Sequence, residues 1–298
     1  MNAQLQPSYD ENRILLDEPI DVYYQRRLDE ANSTGLKLID MRSPAHFHYY
    51  TMHPEEDEDT KTKAFGRAYH CAILEPDQFH KRYIVLPEDA PERPTEKMLN
   101  AKKPTENSIH RQDWWREWGH LSAGRVTLSA KDYDRAQRMG DAVRAHPLAC
   151  GLIVGGDREV TFRWIDPRTG MKCKSRIDLN VPGEFMLDVK SCEDASREAF
   201  ARAVTNYRYD LQMAHYVAGA TECGQPVRRY VILACESQAP FVCQPYILDA
   251  MAEQRGWAIR ERAIAKQAAC VASGRWPGYS DTVEELTLPA WAFYGTEL

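Results

Sequence analysis

Ile177-Asp178-Leu179-Asn180-Val181-Pro182-Gly183-Glu184-Phe185-Met186-Leu187-Asp188-Val189-Lys190 decides how this chain folds and where its chemistry lies. Pro182-Gly183-Glu184 is a turn signal between two runs of alternating apolar and polar residues, the pattern of a β-hairpin. Centring the loop on Gly183 pairs Val181 with Phe185, Leu179 with Leu187 and Asp178 with Asp188. Directly opposed side chains have Cβ atoms roughly 4.5–5.5 Å apart, and like charges placed there are destabilising. Two carboxylates facing each other therefore need a proton or a cation between them. Lys190 lies two residues beyond Asp188 and so shares its face, while Val189 points the other way. Carboxylate oxygens and a backbone carbonyl suit a hard divalent ion such as Mg²⁺ or Mn²⁺. An isolated Asp-x-Lys in a strand is ordinarily a solvated surface pair; the mirrored Asp178 changes that reading.

Upstream, Glu159–Ile165 and Met171–Asp178 also alternate, separated by the turn Asp166-Pro167-Arg168-Thr169-Gly170. The three strands form an antiparallel meander expected to have one apolar face. Pairing across Pro167–Gly170 sets Glu159 opposite Asp178 as a third carboxylate, although a one-residue slip would turn it away. Lys172, Lys174 and Arg176 fall on the Asp178 face, where they either line a phosphate track or form an ordinary solvated strand face.

Helical signals surround the meander. Ser43-Pro44 starts one helix, and a second runs from about Thr62 to Leu74 and carries His70. Ser129 caps a third, with Asp132 completing a partial capping box, and it ends near His146-Pro147. Asp194 and Ser196 introduce helices to about Ala220. Strands at Arg229–Cys235 and Phe241–Ile247 precede a helix over Asp249–Ser273. The order predicts an α/β fold with a mixed central sheet flanked by helices. We expect a polar segment over 1–30, one domain over 31–275 with an irregular insertion at about 87–126, and a tail over 276–298. Glu55–Asp59 reads as a solvated acidic loop. Trp114, Trp115 and Trp118 in the insertion are compatible with an apolar wedge at a duplex end, and more ordinarily with packing onto the body or a neighbouring subunit.

Length and charge narrow the function. A chain of 298 residues, 43% apolar, can bury a full core. Its net charge of −6 excludes a simple basic nucleic-acid coat protein, while leaving room for a local basic groove. Eight scattered cysteines contain no C-x-x-C pair, which disfavours a zinc ribbon or a disulfide framework. With no signal-like start and no long apolar run, a cytoplasmic protein without membrane contact is expected.

These pieces together resemble the PD-(D/E)XK nucleases: Asp178, nine intervening residues, then Asp188-Val189-Lys190. The wider pattern is similar to the exonuclease VIII (RecE-type) branch of phages and prophages. It is carried by Ser43-Pro44-Ala45-His46-Phe47, Phe65-Gly66-Arg67-Ala68-Tyr69-His70, Ser175-Arg176-Ile177-Asp178, Leu187-Asp188-Val189-Lys190-Ser191 and Gln212-Met213-Ala214-His215-Tyr216. Ile177 stands where the signature has proline. The resemblance implies a restriction-endonuclease-like core in which His70, Asp178, Asp188 and the Val189 carbonyl hold Mg²⁺, with Mn²⁺ substituting. It implies that Lys190 orients or deprotonates the attacking water, and that Gln212 and Tyr216 position DNA. On residues alone, His70 is as readily a packed histidine and Tyr216 a core residue. The implied activity is exodeoxyribonuclease action from duplex ends, 5′→3′, in a bacterial host. A ring-shaped homo-oligomer and a RecT-like single-strand annealing partner are implied with it. Two alternatives are a RecB-like or CRISPR-adaptation-type single-strand nuclease, and a non-catalytic DNA-binding module of the same fold.

Overall fold

The computed structural model describes residues 12–54, 61–289, 292 and 294. The acidic run Glu55–Asp59, residues 1–11 of the polar N-terminal segment and Trp291 lie outside them. The chain begins with β1 (Arg13–Leu15), α1 (Ile20–Tyr23), β2 (Glu30–Ala31), α2 (Ser33–Met41), α3 (Pro44–Met52), α4 (Lys61–Leu74) and α5 (Pro76–Arg82). It continues with β3 (Tyr83–Val85), α6 (Glu96–Leu99), α7 (Glu106–Leu121), β4 (Val126–Leu128), α8 (Ala130–Ala145) and α9 (Ala149–Leu152). The meander is β5 (Asp157–Ile165), β6 (Lys172–Val181) and β7 (Phe185–Cys192). Then come α10 (Arg197–Tyr207), α11 (Tyr209–Glu222), β8 (Arg229–Glu236), β9 (Cys243–Tyr246) and α12 (Ala250–Ser273).

Local chemistry sets these boundaries. The Ser43 hydroxyl accepts from the His46 amide while Pro44 takes the first helical position of α3. At α8, Ser129 Oγ accepts from the Asp132 amide at 3.1 Å and donates to the Asp132 carboxylate at 2.8 Å, so the N-cap bond forms while the N3 side chain meets the hydroxyl and not the Ser129 backbone amide of a full capping box. Asp249 Oδ1 accepts from Ala252 N at 2.8 Å to start α12.

The main sheet has the order β1-β5-β6-β7-β8-β9, with β2 adding in parallel to one end of β6. β5, β6 and β7 run antiparallel, and the parallel β7–β8 pair makes the sheet mixed. This is the mixed α/β architecture expected from the sequence. The one-apolar-face expectation is corrected. One side carries Val160, Phe162, Trp164, Ile177 and Met186 against α2, α11 and α12. The other carries Leu179, Leu187, Val189, Val231 and Leu233 against α4 and α8. A parallel pair needs a helical crossover, here α10–α11, and its strands are then covered on both faces. Gly219 lets α11 lie flush on the sheet: a Cβ there would sit 2.6 Å from the Trp164 ring.

The insertion is more ordered than expected. α7 spans 16 residues, capped by Thr105, and β3 pairs with β4 in a separate two-stranded sheet. Helix α7 is polar around most of its circumference, so its period is invisible in the sequence. Trp115 Nε1 donates to Pro91 O at 3.0 Å, Trp114 stacks on Trp118, and Trp118 is buried. These rings pack the insertion on itself. The tail docks too: Pro277 O accepts from Ala45 N at 3.0 Å, and Trp276 packs on Phe47. Among the described residues no helix is long and apolar enough to cross a membrane, and all eight cysteines are free.

Candidate metal and nuclease site

The hairpin register is the one the Gly183 turn dictates, with Val181 opposite Phe185 and Leu179 opposite Leu187. On the other side of β6, Arg158 pairs Leu179 and Val160 pairs Ile177, which leaves Glu159 across from Asp178. Here the strand alternation slips. Ile177 faces the α11 side and Leu179 the α4 side, although they are two residues apart. Glu159 takes left-handed backbone, φ 52°, at this point. Strained backbone of this kind costs about 1–3 kcal/mol and persists only where its surroundings enforce it. The slip frees both carboxylates from the two packed faces and brings them to His70 of α4. One ligand atom from each of His70, Glu159 and Asp178 lies within 4.8 Å of the others.

Each member answers to its neighbours. His70 Nδ1 is 3.4 Å from Asp178 Oδ1, and Asp178 Oδ2 accepts from the Val189 amide at 2.6 Å. Burial pulls His70 toward neutrality, but the Asp178 charge overcomes it and raises the pKa. Burial would raise Asp178 in turn, and His70 together with the Val189 amide brings it below the usual carboxylate range. Desolvation and the Asp178 charge push Glu159 up to about 7. Tyr69 Oη lies 2.9 Å from His70 Nε2 and accepts from Ser191 N at 3.1 Å, which fixes the imidazole against β7.

Asp188 sits one step away on the α11 side, 2% exposed. Its carboxylate takes Lys190 Nζ at 2.6 and 2.8 Å and Gln212 Nε2 at 3.1 Å. Burial and then Asp178 raise its pKa against the pull of Lys190. Burial alone would lower Lys190, yet Asp188 and Asp178 hold its pKa above the usual lysine value. Lys190 is thus a firmly charged ammonium, suited to meeting a phosphate oxygen or orienting a water. Gln212 Oε1 accepts from Lys37 Nζ at 2.6 Å. Tyr216 is buried, edge-on to Tyr230, and burial drives its phenol far above the usual range.

Of Lys172, Lys174 and Arg176, the last two are turned into the protein and paired there, and only Lys172 keeps substantial exposure. Lys174 is buried, donating to Tyr23 O and Gln25 O and pairing with Glu30 at 2.5 Å. Arg176 donates to Glu159 O and Glu18 O, and Lys172 pairs with Asp29 at 3.1 Å. The N-terminal segment closes over this end of β6 and supplies acceptors to cations that burial would otherwise strand. Lys37 went unread in the sequence. Burial, with Lys190 adding to it, lowers its pKa to about 7. Its only signal was a lysine between two leucines in a helix whose neighbours Leu36 and Ile39 are core.

The donor chemistry fits a divalent ion. An imidazole and two carboxylates converge, and burial together with the Asp178 charge raises Glu159 toward neutrality even though Arg176 lies 3.6 Å from its carboxylate. His70, Glu159 and Asp178 would hold such an ion, with Asp188 adjacent. Of the expected set of His70, Asp178, Asp188 and the Val189 carbonyl, His70 and Asp178 fall in the cluster together with Glu159, and Asp188 lies beside it, paired with Lys190 and Gln212.

Residues 32–289 match a family described as "PDDEXK-like domain of unknown function (DUF3799)". A crystal structure from Eubacterium rectale, of a protein described there as a proposed exonuclease, superposes with a TM-score of 0.57 at 13% identity. The match covers 94% of this chain and 98% of that one. No curated protein matches the chain.

Proposed function

The chain belongs to this PDDEXK-like family, and from that premise we propose that it is a metal-dependent deoxyribonuclease that hydrolyses DNA phosphodiesters from duplex ends. The observation that carries the reading is the convergence of His70, Glu159 and Asp178 within 4.8 Å beside buried Asp188 and its half-buried partner Lys190. A divalent ion bound there supplies Lewis-acid neutralisation of the phosphate and a water of lowered pKa. The protein's own groups do the rest. Asp178 orients His70, and the Val189 amide orients Asp178. Lys190, held charged by Asp188, offers an ammonium where negative charge develops on the phosphate. Gln212 ties Asp188 to Lys37 and fixes the carboxylate's rotamer. The reading extends to 5′→3′ polarity, a ring-shaped homo-oligomer, a RecT-like annealing partner and action in the bacterial cytoplasm, all implied by the RecE-type resemblance.

The test is digestion of linear duplex DNA labelled at either end, with Mg²⁺ or Mn²⁺ and a closed circle as control. Loss of the linear substrate alone, abolished in Lys190→Ala, is expected, with early release of the 5′ label. A cleaved circle would replace this reading with an endonuclease. No cleavage with either ion would favour a DNA-binding module.

A further inference from the structure

The corner between α10 and α11 turns on Arg208, which holds left-handed backbone at φ 52°, ψ 47°. A non-glycine residue stays there only when its surroundings over-determine it. Here Arg208 Nε donates to Asp40 Oδ2 at 2.7 Å and Nη1 to Thr205 O at 2.6 Å, while Arg262 holds the other Asp40 oxygen at 3.0 Å. What the corner displays is the residue on either side of it. Tyr207 and Tyr209 stack with centroids 5.7 Å apart and planes inclined by 27°. The inner ring reaches the site: Lys190 Nζ lies 5.1 Å and Lys37 Nζ 5.2 Å from the Tyr209 centroid. The outer ring, Tyr207, is 60% exposed.

We propose that Tyr207, backed by Tyr209, is a stacking platform for a nucleobase of the DNA strand whose phosphate meets Lys190. The inference rests on the nuclease reading of the site and adds to it a contact with the unpaired strand. The two rings form a step leading outward from the ammonium to an exposed ring, within reach of a base adjoining a phosphate held at Lys190. Every base has a π face, so the platform is indifferent to sequence, as an exonuclease requires. It accepts a base only after the strand is unpaired, which places it on single-stranded DNA at the end being digested. The anchored Arg208 gives the step its rigidity, so little side-chain freedom is lost when a base lands on it.

Two variants of the full chain test this. Tyr207→Ala is expected to raise KM about 10-fold, the scale of one lost base stack, without changing the slope of log KM against log salt, because stacking releases no counterions. Tyr207→Trp is expected to restore KM, and its added fluorescence to be quenched by a single-stranded oligothymidylate in Ca²⁺. A Tyr207→Ala enzyme with wild-type KM, or a Tyr207→Trp protein that the oligonucleotide does not quench beyond wild type, overturns the platform. Wild-type protein that fails to cleave with Mg²⁺ or Mn²⁺ overturns the nuclease reading instead. The quenching experiment still decides whether a base stacks there.

Discussion

His215 makes this protein acid-sensitive in a way that a single variant can isolate. It lies on α11 between Gln212 and Tyr216, fully buried, with Nε2 3.0 Å from Lys174 O and its ring 4.9 Å from that of Trp164. Burial, reinforced by the Arg260 charge, lowers its pKa from 6.5 to about 3. The unfolded chain therefore binds a proton between those values that the folded protein refuses. Stability is complete above pH 6.5 and is lost as pH falls toward 3. The full gap of about 3.5 units corresponds to about 5 kcal/mol at 1.36 kcal/mol per unit, and the part lost between pH 7.5 and pH 5 is about 2 kcal/mol. His215→Gln keeps a nitrogen at the same bond count from Cα but cannot take the proton. Urea denaturation of both proteins at the two pH values gives the comparison. Wild type is expected to lose about 2 kcal/mol more than the variant over that interval. The cost of losing the ring against Trp164 is common to both pH values and cancels. Equal losses in the two proteins would refute the assignment of a buried neutral imidazole.

The metal cluster, the second lysine and the helix contacts make further predictions. His70→Ala is expected to raise the Mg²⁺ requirement, and in wild type the affinity is expected to rise with pH, since the proton that Asp178 holds on His70 competes with the ion; isothermal titration at two pH values reads both. In the metal-free protein the lowered pKa of Lys37 makes stability rise with pH from about 7 toward 10.5, so Lys37→Met should flatten urea midpoints between pH 7.5 and 9.5. Gly256→Ala would drive a Cβ into the Asp210 carbonyl at the α11–α12 crossing, where backbone cannot yield. A loss of about 1–3 kcal/mol is expected by thermal or urea denaturation.

Much of this site was legible because turns fix parity. Gly183 and the Asp166–Gly170 turn each set a register, and those two registers bring Glu159, Asp178 and Asp188 to one stretch of the sheet, although the β6–β7 ladder ends at Leu179–Leu187 and Asp178 is not paired with Asp188. Caps at Ser43 and Ser129 worked likewise, since each is a contact within four residues. What escaped was long-range. Lys37 meets Gln212 across 175 residues of chain. The covers over Lys174 and Arg176 come from a segment whose composition says only that it is polar. The slip in alternation at Asp178 depends on the positive φ of a glutamate, which no residue type announces.

That polar segment has a consequence for where this fold can be cut. Arg163, 1% exposed, lies between Glu18 at 2.8 Å and Glu30 at 2.7 Å, and Lys174 shares Glu30. The family match begins at residue 32, just past both glutamates. A protein trimmed to that boundary would keep every residue of the metal cluster, yet lose β1, β2 and both glutamates, opening the Arg163 and Lys174 end of the sheet to water. The limit of the shared pattern and the limit of the self-sufficient folding unit are different places in this chain, and the distance between them is one buried arginine.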